Sequence, residues 1–226
     1  MILEDGTNYH RWEDGRSNYA WDLTALFSNK MTYKRLGKDL EDFAVFGKDL
    51  YLPMNGTVAR VLDHNPDNVP QLIEAINFTT LDNGTEAHLT EKPHNLVEVT
   101  PGGPFLLRIL HQKQVKIYVK SYKITLKNCD IFPLQNSIPR TIKVGQFLKV
   151  GTFIGKAGNS GTTFVPHVHV AFGFFDQNAR YWSIPIQWKK YQRRVLMPYP
   201  TRYEFGEYKD EEFGYPKTNQ LIKSNI

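Results

Sequence analysis

The chain has 226 residues, of which 41% are hydrophobic and 23% are charged, and this balance excludes an intrinsically disordered protein. The net charge of +5 is modest, and the one basic cluster, residues 189–194, is typical of a solvated face rather than of a nucleic-acid-binding surface. The single cysteine, Cys129, excludes an internal disulfide and a thiolate zinc cluster, and the lack of any apolar run of about 18 residues excludes a membrane-spanning helix.

Alternating polar and apolar residues predict β-strands along much of the chain. In chain order the predicted strands lie at residues 56–62, 95–99, 105–110 and 115–126, followed by short strands between residues 142 and 155. β-Branched and aromatic residues, which strands favour, are frequent in them. The glycines at 145, 151, 155 and 158 predict the tight turns of a compact β structure.

Helical signals are few. Residues 67–78 predict one short helix with Pro70 near its start, and residues 33–46 predict a piece that is irregular or helical. The tail from residue 197, rich in tyrosine, proline and acidic residues, predicts an extended wrap or a mobile end. Because no repeat or low-complexity linker interrupts the sequence, we expect residues 1–226 to form a single domain with insertions.

Two histidines one residue apart follow a glycine-rich turn in GNSGTTFVPHVHVAFG, residues 158–173. In a strand, residues i and i+2 point the same way, so His167 and His169 would share one face while Val168 and Val170 pack into the core. A catalytic zinc site takes about three protein ligands and keeps one position open, and His169 can supply one ligand. The alternative is that a histidine in an apolar strand is a satisfied core residue.

Asp22 lies in SNYAWDL, residues 17–23, an aromatic and apolar stretch that favours a strand. A buried carboxylate without a partner costs several kcal/mol, and a metal ion would remove that cost. Taken alone, Asp22 is more often a turn or N-cap acid than a ligand. Asp22 becomes a candidate metal ligand only in combination with His167 and His169.

The segment GKAGNSGTTFVPHVHVAFG, residues 155–173, resembles the closing motif of the lysostaphin-like zinc metallopeptidases, family M23, in which a GNSG or GNTG turn precedes PHLHF. Residues 47–58 resemble the segment that follows the metal-binding aspartate of that family, and residues 95–99 resemble its N-x-V-x-I strand. His111 falls at the histidine of the family's Y-A-H-L segment, and residues 134–138 and 142–151 resemble the section that follows it. The resemblance runs in order from about residue 17 to residue 173.

One departure concerns the first zinc histidine, which the family places four residues before the aspartate. That position here is Asn18, whose neutral amide is a poor zinc ligand. The stretch around Asp22 resembles a variant with RYAxDF, which draws its histidine from further upstream. His10 is the histidine available there, and we expect it to be the third ligand; the alternative is a surface histidine on a frayed terminus.

A second departure is a pair of insertions, at about residues 26–46 and 115–133, relative to the family pattern. A rival alignment puts Pro133 at the active-site histidine position and implies an inactive protein. The spacing from Asn95 favours His111 instead. The other histidines, His64, His88 and His94, lie in polar or loop contexts and are expected to be solvated or at a rim.

The resemblance implies a mainly β fold of antiparallel sheets, a partly open barrel-sandwich of the duplicated hybrid motif type with few short helices. It also implies a zinc-dependent endopeptidase that hydrolyses peptide bonds in the cross-links or stem peptides of peptidoglycan. Its ligands for Zn²⁺ would be His10, Asp22 and His169, while His111 and His167 would flank the open position and handle protons.

The main alternative from another class is a catalytically degenerate M23-like module that binds cell wall or a partner protein, which Asn18 favours. A third is a β-rich carbohydrate- or lipid-binding domain with incidental histidines. For the peptidase we expect a periplasmic or secreted location. The first residues lack a signal peptide's basic and apolar segments, so an export leader would have been removed. The positive net charge suits an anionic wall.

Overall fold

The computed structural model describes residues 2–5, 19–70, 95–110, 112, 138–139, 141–161, 163–178, 181–196, 204–216 and 220–224. Antiparallel strands dominate them, which confirms the predicted mainly β class. The strands are β1 (Ile2–Asp5), β2 (Trp21–Thr24), β3 (Asp49–Tyr51), β4 (Gly56–Leu62), β5 (Leu96–Gly102), β6 (Phe105–Leu110), β7 (Phe147–Leu148), β8 (Phe153–Lys156), β9 (Val168–Phe175), β10 (Tyr181–Ser183), β11 (Trp188–Leu196), β12 (Glu204–Gly214) and β13 (Gln220–Ser224).

Two sheets are built from these strands. The larger one has eleven strands in the order β12-β11-β13-β1-β2-β9-β6-β5-β4-β7, with β10 paired to β9. The smaller one is the pair β3-β8. The small sheet packs on one face of the large sheet, because Leu52 and Ile154 share a buried cluster with Val97, Ile109 and Val170. This face of the large sheet therefore packs into the core, and the opposite face of the large sheet is available to polar side chains.

The central strands follow the two-residue period of a half-buried strand. On β9, Val168 and Val170 are buried in the core cluster, and on β6 the same holds for Leu107 and Ile109. Residues between them point to the opposite face. Burial of these four side chains sets the register of each strand, because a shift by one residue would turn every apolar side chain away from the core.

The turns and connections differ partly from the sequence-based expectation. Gly145 and Gly151 have φ angles of 85° and 82°, which glycine adopts without strain, and they bound short strands as predicted. Residues 33–46 are irregular apart from a 3₁₀ helix at Leu40–Asp42. Burial raises the pKa of Asp42, but hydrogen bonds from Arg35 and the Asp39 backbone outweigh it, so that this pKa is lowered overall.

The predicted start of a helix at residue 67 is wrong. Asp67 forms a β-bridge with Ser160, and residues 67–70 are not helical. The rest of that predicted helix and the predicted strand at 115–126 lie outside the described residues. The tail beyond residue 197 contributes β12 and β13 to the large sheet, in agreement with an extended segment. Among the helices of the described part, none is long and apolar enough to cross a membrane.

Candidate metal centre

Asp22 and His169 lie directly opposite each other on the neighbouring strands β2 and β9. Residues paired in this way project from the same face of a sheet. The Oδ1 atom of Asp22 is 2.9 Å from Nδ1 of His169 and 3.5 Å from Nε2 of His167, which immediately precedes β9. Two strands separated by 147 residues thus bring a carboxylate and two imidazoles together.

The sequence folds this way locally because the valines and the histidines alternate. Val168 and Val170 are drawn into the core cluster, which turns His167 and His169 to the opposite face of the large sheet. On β2, Trp21 and Leu23 contribute to apolar clusters, which turns Asp22 to the face of the histidines. The same hydrophobic burial that sets the register therefore also assembles the polar cluster.

The cluster is sheltered but reachable from solvent. The side chains of Asp22, His167 and His169 expose 19%, 17% and 11% of their surface. One ligand atom from each lies within 4.8 Å of the others. Partial burial of a carboxylate beside two imidazoles strengthens their electrostatic interaction relative to an exposed cluster, since water screens it less.

The donor set suits a zinc ion. Imidazole nitrogens and a carboxylate oxygen are ordinary zinc ligands, and a set of three protein ligands leaves a position open. The Nδ1 of His167 lies 2.9 Å from the carbonyl oxygen of Val165, which can only accept a hydrogen bond. With its proton on Nδ1, a neutral His167 donates to this carbonyl, and its Nε2 lone pair then faces the Asp22 carboxylate.

A buried polar network holds the turn before β9 against the end of β6. The amide of Asn95 donates to Ser160 Oγ at 2.9 Å, and Ser160 Oγ donates to the carbonyl of Gln112 at 2.9 Å. The side-chain amide of Asn95 donates to the same carbonyl at 3.1 Å. Asn95, Gln112 and Ser160 are fully buried. The sequence analysis assigned no site role to these three residues. The asparagine of the segment that resembles N-x-V-x-I and the serine of the GNSG turn were the signals that could have pointed to two of them.

Two of the predicted site residues, His10 and His111, lie outside the described residues, as do Asn18, His88, His94 and Pro133. The chain neighbours of His111 are described. Leu110 pairs with His169, and Gln112 forms a β-bridge with Ala157, next to the glycine-rich turn. His64 is exposed, in agreement with the solvated position expected for it.

A charged pair lies on the same sheet face, two residues along β9 from His169. Arg108 is opposite Ala171, and its Nε donates to Glu98 at 2.8 Å. The guanidinium carbon lies 4.9 Å from the ring centre of Tyr181. Burial raises the pKa of Tyr181, so that its hydroxyl stays protonated at any physiological pH. Arg108, Glu98 and Tyr181 thus extend the polar face of the sheet beyond the cluster of Asp22, His167 and His169.

The sequence matches no protein-family profile and no curated protein. Among solved structures, the chain is similar to a zinc-containing peptidase from Vibrio cholerae, with 17% identity, a TM-score of 0.30, and coverage of 56% of this chain and 24% of that chain. It is also similar to a mutant catalytic domain of the prophage-encoded M23 protein EnpA from Enterococcus faecalis, with 13% identity, a TM-score of 0.33, and coverage of 72% and 93%.

Lysostaphin from Staphylococcus simulans is a third similar structure, with 11% identity, a TM-score of 0.33, and coverage of 90% of this chain and 83% of that chain. The chain spans less than two thirds of the first of these proteins. Likenesses this distant assign neither a family nor an activity to the chain.

Proposed function

We propose that the protein is a zinc-dependent endopeptidase of the M23 type that cleaves peptide bonds in peptidoglycan. One observation carries the proposal: Asp22 Oδ1 lies 2.9 Å from His169 Nδ1 and 3.5 Å from His167 Nε2 on a sheet face turned away from the core. The ordered sequence resemblance between about residues 17 and 173 adds independent support. A shared cation explains why an apolar strand carries a carboxylate.

Asp22 and His169 would hold the metal, with His10 as the third ligand. Zinc in such a site acts as a Lewis acid that lowers the pKa of water to about 7 and polarises a carbonyl. The nearest nitrogen of His169 to the carboxylate is Nδ1, so this is the atom we assign to the metal.

That residues 1–226 form a single domain with insertions remains a prediction.

His167 and His111 would move protons. In the tautomer with its proton on Nδ1, His167 has its Nε2 lone pair on the site face and can accept a proton from an attacking water molecule. Once protonated, the same atom can donate to the leaving amine or to the oxyanion. We assign this role to His111 from the sequence resemblance; its neighbour Leu110 ends β6 and pairs with His169.

The substrate class comes from the sequence resemblance and from charge. An excess of five positive charges favours encounter with an anionic wall, and such a substrate lies outside the cytoplasm. We therefore propose action at a periplasmic or extracellular location on wall peptides.

The test combines metal analysis with a cleavage assay. We expect one zinc per purified chain and release of peptide fragments from labelled peptidoglycan. His169→Ala should lose both zinc and activity, whereas His167→Ala should keep zinc and lose activity by roughly 100-fold or more. His64→Ala, at an exposed position, is the matched control and should behave like the wild type. A chain that binds no zinc and cleaves nothing, but binds wall, would instead support the degenerate module.

A further inference from the structure

We propose that Thr163, anchored through Asn159 to Asp67, is a positioning residue that keeps His167 in one tautomer, with its proton on Nδ1 and its Nε2 lone pair facing Asp22. Any catalytic consequence rests on the proposed peptidase function. The tautomer itself is a property of the metal-free protein and can be measured without any activity.

Among the contacts of the described residues, two oxygen atoms lie within hydrogen-bonding distance of His167 Nδ1. They are the Val165 carbonyl at 2.9 Å and Thr163 Oγ1 at 3.2 Å. A carbonyl only accepts, so Nδ1–H of His167 donates to it. In the other tautomer the Nδ1 lone pair would face the carbonyl oxygen at 2.9 Å and repel it, at a shorter distance than the 3.5 Å between Nε2 and Asp22 Oδ1.

The hydroxyl of Thr163 can direct its single proton away from the ring. Its possible acceptors are Asn159 Oδ1 at 3.1 Å and the Val165 carbonyl at 2.9 Å. The Asn159 side chain is oriented by its own Nδ2, which donates to the carbonyl of Asn68 at 3.1 Å. Whichever acceptor takes the proton, Thr163 Oγ1 keeps a lone pair for Nδ1–H of His167. Thr163 is thus a second acceptor that favours the same tautomer.

The chain of contacts ends on a separate segment of the protein. The backbone amide of Asn159 donates to Asp67 Oδ1 at 2.7 Å, and the amide of Asn68 donates to the Asn159 carbonyl at 2.9 Å. Asn159 is fully buried. The segment after β4 therefore fixes the turn that carries Thr163, so that Thr163 cannot drift away from the imidazole without breaking this anchoring.

This arrangement decides which nitrogen of His167 is basic toward the site. With the proton on Nδ1, Nε2 can accept a proton beside Asp22. With the proton on Nε2, that nitrogen would be a donor facing the carboxylate and could accept nothing. Thr163 touches neither the other two cluster residues nor the open side in the described contacts, so its effect would pass through His167.

The experiment is nitrogen NMR of metal-free protein labelled with ¹⁵N-histidine, under conditions where His167 is neutral, together with steady-state kinetics of the zinc-loaded enzyme. We expect wild-type His167 to carry its proton on Nδ1. Thr163→Val keeps the shape and removes the acceptor, so a second population protonated on Nε2 should appear. In the kinetics, kcat should fall roughly 10- to 100-fold with little change in KM. Thr163→Ser should restore the wild-type spectrum and kcat.

Thr152→Val is the matched control, since the Thr152 hydroxyl donates to the Lys149 carbonyl at 2.7 Å on an exposed turn. It makes the same chemical change away from the site and should alter neither spectrum nor kcat. The proposal is overturned if wild-type His167 is protonated on Nε2, or if Thr163→Val leaves the tautomer unchanged. Absence of cleavage by every variant would overturn the peptidase function and leave the NMR result to decide the tautomer.

Discussion

The polar residues of the site differ in how clearly the sequence marks them as functional. Asp22 is conspicuous in the sequence because an apolar strand carries it, and His167 and His169 are conspicuous by their spacing. The structure places their atoms within 4.8 Å of one another. Thr163 carries no such signal, because a threonine in a glycine-rich turn is ordinary; its contact with His167 depends on how the turn folds.

Tyr181 offers a prediction at the same scale. Its hydroxyl is buried and has no hydrogen-bond partner within the described residues. An unsatisfied buried polar group costs about 1–3 kcal/mol, so Tyr181→Phe should raise the free energy of unfolding by about 1 kcal/mol. The phenylalanine ring keeps the contact with Arg108. Urea unfolding of the two proteins measures the difference, and a loss of stability of that size would mean that the hydroxyl has a partner.

At the scale of elements, β9 is the strand on which the site depends. It pairs with β2, β6 and β10, and so connects the carboxylate, the Arg108–Glu98 pair and Tyr181. β10 closes on β9 at Gly173, where a Cβ atom would come 2.0 Å from the Trp182 carbonyl oxygen. Only a residue without a side chain permits this approach.

Gly173→Ala should therefore force β10 away from β9. We expect a loss of about 1–3 kcal/mol in the free energy of unfolding, as for other overpacked sites. Gly47→Ala is a useful comparison, because a Cβ there meets nothing within 4 Å although φ is 75°. It should cost about 1–2 kcal/mol through backbone strain alone, without displacing β10. Thermal unfolding measures both costs, and the near-UV circular dichroism of the tryptophans, Trp182 among them, reports the displacement of β10; equal spectra of the two variants would contradict it.

For the whole molecule, the proposed metal would join strands that are far apart in the sequence. Asp22 and His169 are 147 residues apart, so a cation bound by both would stabilise the folded state over the unfolded one. Chelation should therefore lower the melting temperature of the wild type by several degrees, and this shift should vanish in His169→Ala. An equal effect of chelator on both proteins would place the bound metal elsewhere.

Much of the fold could be predicted because strand formation follows local pattern. The predicted strand at residues 56–62 matches β4, and the one at 105–110 matches β6. The helix predicted from residue 67 fails at its start because pairing of Asp67 with Ser160 overrides a local preference. A bridge between residues so distant in the chain leaves no trace in the spacing of nearby residues.

By itself, the sequence determined that β-strands would dominate and that His167 and His169 would face the same way, since both follow from the two-residue period of a strand. Only the tertiary structure decided that β2 lies beside β9 with Asp22 opposite His169, and that Asn159 and Asp67 hold Thr163 against the imidazole. The reason is that strand order and register come from burying a shared core, a property of the assembled chain and not of any segment.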